Sequence, residues 1–307
     1  MCFMAFSIHA SASEQPVIRS SWLDSIRDGQ LGASLRQIRR SKQAVIGLMI
    51  VLGLMIVAIF APLIAPWDPG LPVLTDSMQS PSWAHPFGTD ELGRDVFGRI
   101  VHGARISLSV AALAIGISVL VGAPLGLVAG YWEGPIGSVI MRLIDAIQAF
   151  PAMLLAVAIA STLGPGITNA MIAIGLVGIP GFARLARGEV LRVKQVEYVL
   201  AARASGAGSA RILRKHILPN GVAPLIVAIS TGSAGAILTE AALSFVGLGA
   251  TPPQPSWGSM LQSGYPFMTL APWLSIFPGL AISIATFGFI FLGDGLRDAF
   301  DPRLRGR

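Results

Sequence analysis

Residues 106–130 read ISLSVAALAIGISVLVGAPLGLVAG, an uncharged run of 25 residues. At about 1.5 Å per helical residue, roughly 20 residues cross a hydrocarbon core about 30 Å thick. A helix of this sequence has no polar face to turn toward water. Lipid asks for none, because a helix pairs its backbone N–H and C=O groups internally. Residues 44–65, AVIGLMIVLGLMIVAIFAPLIA, repeat the pattern without a charge.

Two longer apolar stretches lie downstream. From 143 to 182 the only charged residue is Asp145, and Gly164, Pro165 and Gly166 break the run into expected spans over 141–163 and 167–183. From 217 to 293 the only charged residue is Glu240, and the break at Thr251, Pro252, Pro253, Gln254 and Pro255 separates spans over 223–248 and 272–292. The expected fold is therefore an all-α integral membrane protein of six transmembrane helices occupying 44–296. A segment over 1–43 and a tail over 297–307 flank it. Gly116, Gly122 and Gly126 inside the second span are expected to let neighbouring helices approach closely.

Composition agrees. Hydrophobic residues make up 53% and charged residues 12%, with mean hydropathy +0.69, whereas a soluble domain carries roughly 25% charged residues. The net charge of +6 is explained by juxtamembrane Lys and Arg, not by a nucleic-acid surface, since no basic stripe interleaves with aromatics on a soluble domain. Cys2 is the lone cysteine, so neither an internal disulfide nor a cysteine metal site is available, and His9, His85, His102 and His216 lack ligand spacing. The first residues lack the basic region of a cleaved signal peptide, and none is expected.

With six spans and a cytoplasmic N-terminus, all of the 22 Lys and Arg residues except Arg94, Arg99 and Arg105 fall on the inner side. Basic residues concentrate on that side of a bilayer, so both termini are expected in the cytoplasm. The loop over 184–219 then also lies inside. Within it, EYVLAARASGAG at 197–208 and RILRKHILPN at 211–220 read as a short helix, a glycine turn at Gly206, and a second short helix stopped by Pro219. The small residues Ala201, Ala202 and Gly206 mark a surface approached closely by something else.

That loop resembles the EAA loop of bacterial ABC importer permeases, with Ala201, Ala202, Gly206, Leu218 and Pro219 at the matching positions. Leu200 stands where the motif has Glu, and His216 where it has Ile. Two further stretches resemble the dipeptide, oligopeptide and nickel branch of the same family: HPFGTDELGRDVFGRIVHGARISL at 85–108, and EAALSFVGLG at 240–249 followed by PSWG at 255–258 and GDGLRDAFDPRLR from 293. The resemblance covers about 39–305 and is to the C-type permease.

It implies an importer permease of the type I fold in the bacterial inner membrane, carrying di- or oligopeptides or a related small solute such as glutathione or a nickel chelate. It also implies a B-type permease as heterodimer partner, two ABC ATPase subunits, and an extracytoplasmic substrate-binding protein. The 184–219 loop would couple to the ATPases. No GxxxxGK phosphate loop occurs in the chain. No cofactor is therefore expected here, and ATP and Mg are expected on the partner subunits, which would do the hydrolysis. A secondary transporter driven by an ion gradient is the distant alternative; it calls for an inverted repeat or paired broken helices with ion ligands, and the sequence presents neither.

Single polar residues carry open alternatives. Glu240, inside a span, either lines the solute pathway or makes a buried hydrogen bond between helices. Asp145 either serves the pathway or pairs locally with Arg142. Asp90, Glu91, Arg94 and Asp95 alternate in sign as in a helix held by local pairs; Asp90, Arg94 and Asp95 either stabilise the loop or contact an external protein.

Overall fold

A computed structural model describes residues 41–300. The segment expected over 1–43 lies outside that range up to residue 40, as does the tail beyond residue 300. The described chain is helical, with one isolated antiparallel bridge between Thr89 and Asp95. In order the helices are α1 (Lys42–Ile59), α2 (Ala61–Ile64), α3 (Val96–Tyr131), α4 (Pro135–Gln148), α5 (Ala152–Leu163), α6 (Ile167–Lys194), α7 (Glu197–Ala204), α8 (Ser209–Ile212), α9 (Leu218–Phe245), α10 (Trp257–Gly264) and α11 (Trp273–Phe300). Five stretches are long and apolar enough to cross a membrane: α1, α3, α6, the continuous 209–245 segment and α11. The pair α4 and α5 makes a sixth if its halves count as one span.

Alanines fill much of the interior, and many large apolar side chains face outward, as expected where lipid replaces water. Ala111, Ala114, Ala156, Ala160, Ala170 and Ala173 are buried, while Leu52, Leu113, Leu120, Ile276 and Phe287 are exposed. The most extensive packing joins α3 to α6. A Cβ on Gly126 would collide with the Ala183 carbonyl and one on Gly122 with the Ile179 carbonyl, so these glycines set the approach of the two helices. Gly116 faces open space and plays no such part.

The helices depart from the sequence expectation at several points. The span over 141–163 is not straight, because α4 and α5 meet at 87° across Ala149–Pro151. Pro151 supplies no N–H and drives Phe150 away from helical geometry. Helix α6 runs past 183 to Lys194, so the interhelical loop starts at Gln195 and not at 184. Pro219 does not stop a helix but sits in the first turn of α9, and a π-helical turn over Leu213–Ile217 joins α8 to it. The wide turn removes the conflict between the proline ring and the carbonyl four residues back. Last, α10 follows the proline-rich break where no helix was expected; Ser256 and Ser259 form a reciprocal capping box at its start.

Chain direction sorts the connections onto two ends. One end holds residues 66–95, the turn at 164–166 and residues 246–272: the Gly166 N–H donates to the Leu248 carbonyl at 3.4 Å, and Trp273 Nε1 to the Thr89 carbonyl at 3.2 Å. The opposite end gathers the start of α1, the α3–α4 turn, residues 195–217 and the end of α11.

Candidate functional site

Helix α7 begins where α6 stops and buries one side chain completely, Val199, which packs with Val190, Val193, Ile212 and Ile217. Each such side chain contributes about 1.5–3 kcal/mol by leaving solvent. The rest of α7 is uncovered. Tyr198 and Leu200 are 45% and 49% exposed, Ala201, Arg203 and Ala204 are exposed, and Ala202 is half-buried. Leu218 and Pro219 are exposed as well. Asn220 Nδ2 donates to the Tyr198 hydroxyl at 3.1 Å and to the His216 carbonyl at 2.6 Å, tying α7 to the start of α9.

The turn after α7 has a specific cause. The Ala207 N–H donates to the Ala202 carbonyl and the Gly206 N–H to the Arg203 carbonyl, both at 3.0 Å, which is a Schellman ending with Gly206 at φ +81°. Nothing lies within 4 Å of a Cβ built on Gly206. Its requirement is therefore left-handed backbone and not close packing.

Glu240 is fully buried in α9. Its Oε1 accepts from Ser244 Oγ at 2.7 Å and its Oε2 from Ser107 Oγ on α3 at 3.2 Å. Ser244 Oγ in turn accepts from the Ala250 N–H at 3.2 Å and lies 3.3 Å from Ser256 Oγ at the cap of α10. This geometry ties α3, α9 and α10 together and leaves the carboxylate no open face. Of the two roles open to Glu240, it favours the interhelical one.

Asp90, Glu91, Arg94 and Asp95 do not form a helix. Asp90 Oδ1 accepts from the Leu92 and Arg94 N–H groups, both at 2.9 Å, and Gly93 adopts φ +73°, so the segment is a tight turn built around the Asp90 carboxylate. Arg94 Nε donates to Asp90 Oδ2 at 2.7 Å, and Arg99 Nε lies 3.6 Å from the same oxygen. Glycine and the Asx bonding outweigh the charge alternation that pointed to a helix. Asp90 and Arg94 are 4% and 8% exposed and leave almost no surface for an external protein. Asp95 caps α3 through the Gly98 N–H at 2.7 Å and pairs with His85 Nδ1 at 2.9 Å.

Asp145 is half exposed on α4 and pairs with Arg184 of α6 at 2.6 Å, not with Arg142. The break at Pro151 turns α4 so that this carboxylate meets the neighbouring helix. An exposed pair of this kind contributes little stability.

Residues 122–306 match the family described as binding-protein-dependent transport system inner membrane component, and residues 29–82 match the N-terminal TM domain of oligopeptide transport permease C. The chain belongs to this family of ABC importer permeases. The permease is 44% identical to the dipeptide transport system permease protein DppC of Alkalihalophilus pseudofirmus, over 89% of its own length and 90% of that protein's. It is 43% identical to the glutathione transport system permease protein GsiD of Pectobacterium atrosepticum, over 88% and 90% of the two chains. Among solved structures, the inward-facing MetNI methionine ABC transporter matches with TM-score 0.57 and 18% identity, over 67% of the permease and 98% of that chain. The likeness to that structure is one of fold.

Several residues around these sites escaped sequence reasoning. Ser107, Ser244 and Ser256 are far apart in the chain, and only the serine four residues after Glu240 gave a local signal. Lys194 reaches Glu133 across 61 positions, with no motif to mark either.

Proposed function

We propose that the permease carries di- or oligopeptides through a pathway shared with a B-type permease subunit, and that α7 docks on an ABC ATPase. In this reading residues 195–217 and both chain ends face the cytoplasm, an extracytoplasmic binding protein delivers the solute, and the ATPase subunits bind and hydrolyse MgATP. The uncovered surface of α7 carries the proposal. A helix whose one fully buried side chain is Val199, presenting alanines flanked by exposed Tyr198 and Leu200, is shaped for a socket that bulky side chains would block. The basic residues Arg184, Arg187, Arg192, Lys194, Arg203, Arg211, Arg214 and Lys215 at that end support the orientation.

The glutathione permeases, as similar to this chain as the dipeptide permeases, favour glutathione as a second reading. Proteoliposomes holding the permease, its partner subunit, the ATPases and the binding protein separate the two when offered labelled di- and tripeptides or glutathione. ATP-dependent uptake of peptides is the expected result; uptake of glutathione alone selects the second reading. Uptake driven by an ion gradient without ATPases would overturn both.

A further inference from the structure

An ion pair between the end of α6 and the turn just beyond α3 sits beside the α7 loop. Lys194 is the last residue of α6, and only Gln195 and Val196 separate it from α7. Its ammonium donates to the Tyr131 carbonyl at 3.1 Å, the Gly130 carbonyl at 3.4 Å and Glu133 Oε1 at 2.7 Å, with its side chain 14% exposed. It also lies 5.4 Å from the centre of the Tyr131 ring. An ammonium has three donors, and here each finds an acceptor on or just beyond the last turn of α3. Those last carbonyls have no partner within their own helix and form the negative end of its dipole, so they favour a cation.

Contacts around it run both to the α3–α6 pair and to the loop. Tyr131 packs against the cluster of Val190, Val193, Val199, Ile212 and Ile217 that anchors α7. Further along, Ser118 Oγ donates to the Gly175 carbonyl at 2.8 Å, and Gly122 and Gly126 hold α6 against α3. Lys194 pulls the Glu133 carboxyl below its ordinary range by hydrogen bond and charge, with smaller contributions from Arg187 and from Arg203 on α7. The glycines and the Ser118 bond fix the two helices mid-span, whereas the charge-assisted bonds of Lys194 fix them at the end that meets the loop.

We infer that Lys194, bonded to the end of α3 and to Glu133, is a positioning residue that makes α3 and α6 follow the α7 loop as one body. This rests on α7 being the ATPase contact. Without the latch, the loop can move with the ATPase while α3 lags, so that hydrolysis proceeds with less transport.

The test uses the full complex in proteoliposomes and reads three quantities: ATPase co-purification, ATP hydrolysis stimulated by the binding protein, and solute moved per ATP. Lys194→Met keeps the apolar stem and removes the charge. The expected result is unchanged co-purification, retained hydrolysis, and transport per ATP lowered about fivefold, a modest coupling change. Lys194→Arg, which keeps a cation at the same place, is expected to restore the ratio. Glu133→Gln, at an exposed position where folding is not at risk, is expected to lower it by a smaller factor. An unchanged ratio in Lys194→Met and Glu133→Gln overturns the latch, and so does loss of co-purification in Lys194→Met, which would make it a folding contact of the loop. If instead Gly206→Val and Leu200→Asp leave ATPase docking intact, the α7 reading itself fails, whatever Lys194 does.

Discussion

The turn before α3 and the short-helix loop after α6 are both rich in charge and lie at opposite ends of the bundle. Around Asp90 the first is closed on its own chain. Asp90 bonds two backbone N–H groups and faces two arginines, Thr89 Oγ1 donates to the Asp76 carbonyl, and Trp273 and Trp257 donate to the carbonyls of Thr89 and Ile100. The second is anchored by Val199, Ile212 and Ile217 and leaves Tyr198, Leu200 and Leu218 uncovered. Large apolar side chains are exposed at both ends, Trp67, Leu71, Leu74 and Trp83 at the first and Tyr198, Leu200 and Leu218 at the second; what separates the ends is the buried charge at Asp90, which the fold needs, against the α7 surface, which the proposed function gives to the ATPase. The comparison is broken if substitutions at the two ends act alike on stability and on assembly.

The largest loss of stability is expected at Asp90. Asp90→Ala leaves Arg94 and Arg99, 8% and 6% exposed, without their shared counter-charge, and removing one partner of a buried ion pair costs about 3–5 kcal/mol. Thermal unfolding of the purified permease should show a large drop in midpoint with poor folded yield. A near-unchanged midpoint would mean that this end is not closed in the way described.

Glu240 comes next. Glu240→Ala strands the hydroxyls of Ser107 and Ser244 and opens a small cavity, for an expected loss of about 2–3 kcal/mol. Glu240→Gln keeps an acceptor and should lose roughly 1 kcal/mol. Transport per folded molecule should hold in Glu240→Gln. If it collapses while stability is kept, the charge serves the pathway and the interhelical reading of Glu240 is wrong.

Much of this was legible in the sequence, for reasons particular to each segment. The long apolar helices α1 and α3 were readable because an uncharged run long enough to cross lipid has few other uses, although α1 stops at Ile59 and α3 starts as early as Val96. The turn at Gly206 was readable because glycine after a run of helix formers marks a left-handed ending, and the structure adds that backbone angle and not crowding is the cause. The bend at Pro151 was hidden inside a hydrophobic count that ignores where backbone donors are missing. The turn at Asp90 was misread as helix because charge alternation is a weaker signal than the Asx bonding and Gly93 that override it. The bond of Ser107 to Glu240 and the reach of Lys194 to Glu133 depend on helix register across many residues, which no local pattern carries.

A smaller effect on stability, with a large one on assembly, is expected at Gly206. A β-branched residue at φ +81° is strained by about 1–2 kcal/mol, and that strain falls on a loop turn outside the bundle core. Gly206→Val should unfold within a few degrees of the parent while ATPase co-purification and uptake are lost. Gly206→Asn, which tolerates left-handed backbone better, should recover part of both. Equal loss in the two variants would shift the cause from backbone angle to the surface itself.

The smallest effect on stability, and the sharpest contrast between the two ends, is expected at Leu200. It is 49% exposed on α7, and nothing in the described chain covers it enough for a polar replacement to strand a partner. Substitutions at such a position usually change stability by less than about 0.5 kcal/mol. Leu200→Asp should therefore unfold with the parent, whereas Asp90→Ala should not. In the assembled transporter the same change would place an unpaired carboxylate in a packed contact, and truncating or charging a central contact of this kind typically weakens binding by at least about tenfold. Unfolding midpoint, ATPase co-purification and ATP-dependent uptake measured on one preparation decide the matter. Unchanged stability with lost docking assigns the uncovered face of α7 to the ATPase. Unchanged docking would mean that this face, open as it is, is not where the partner sits.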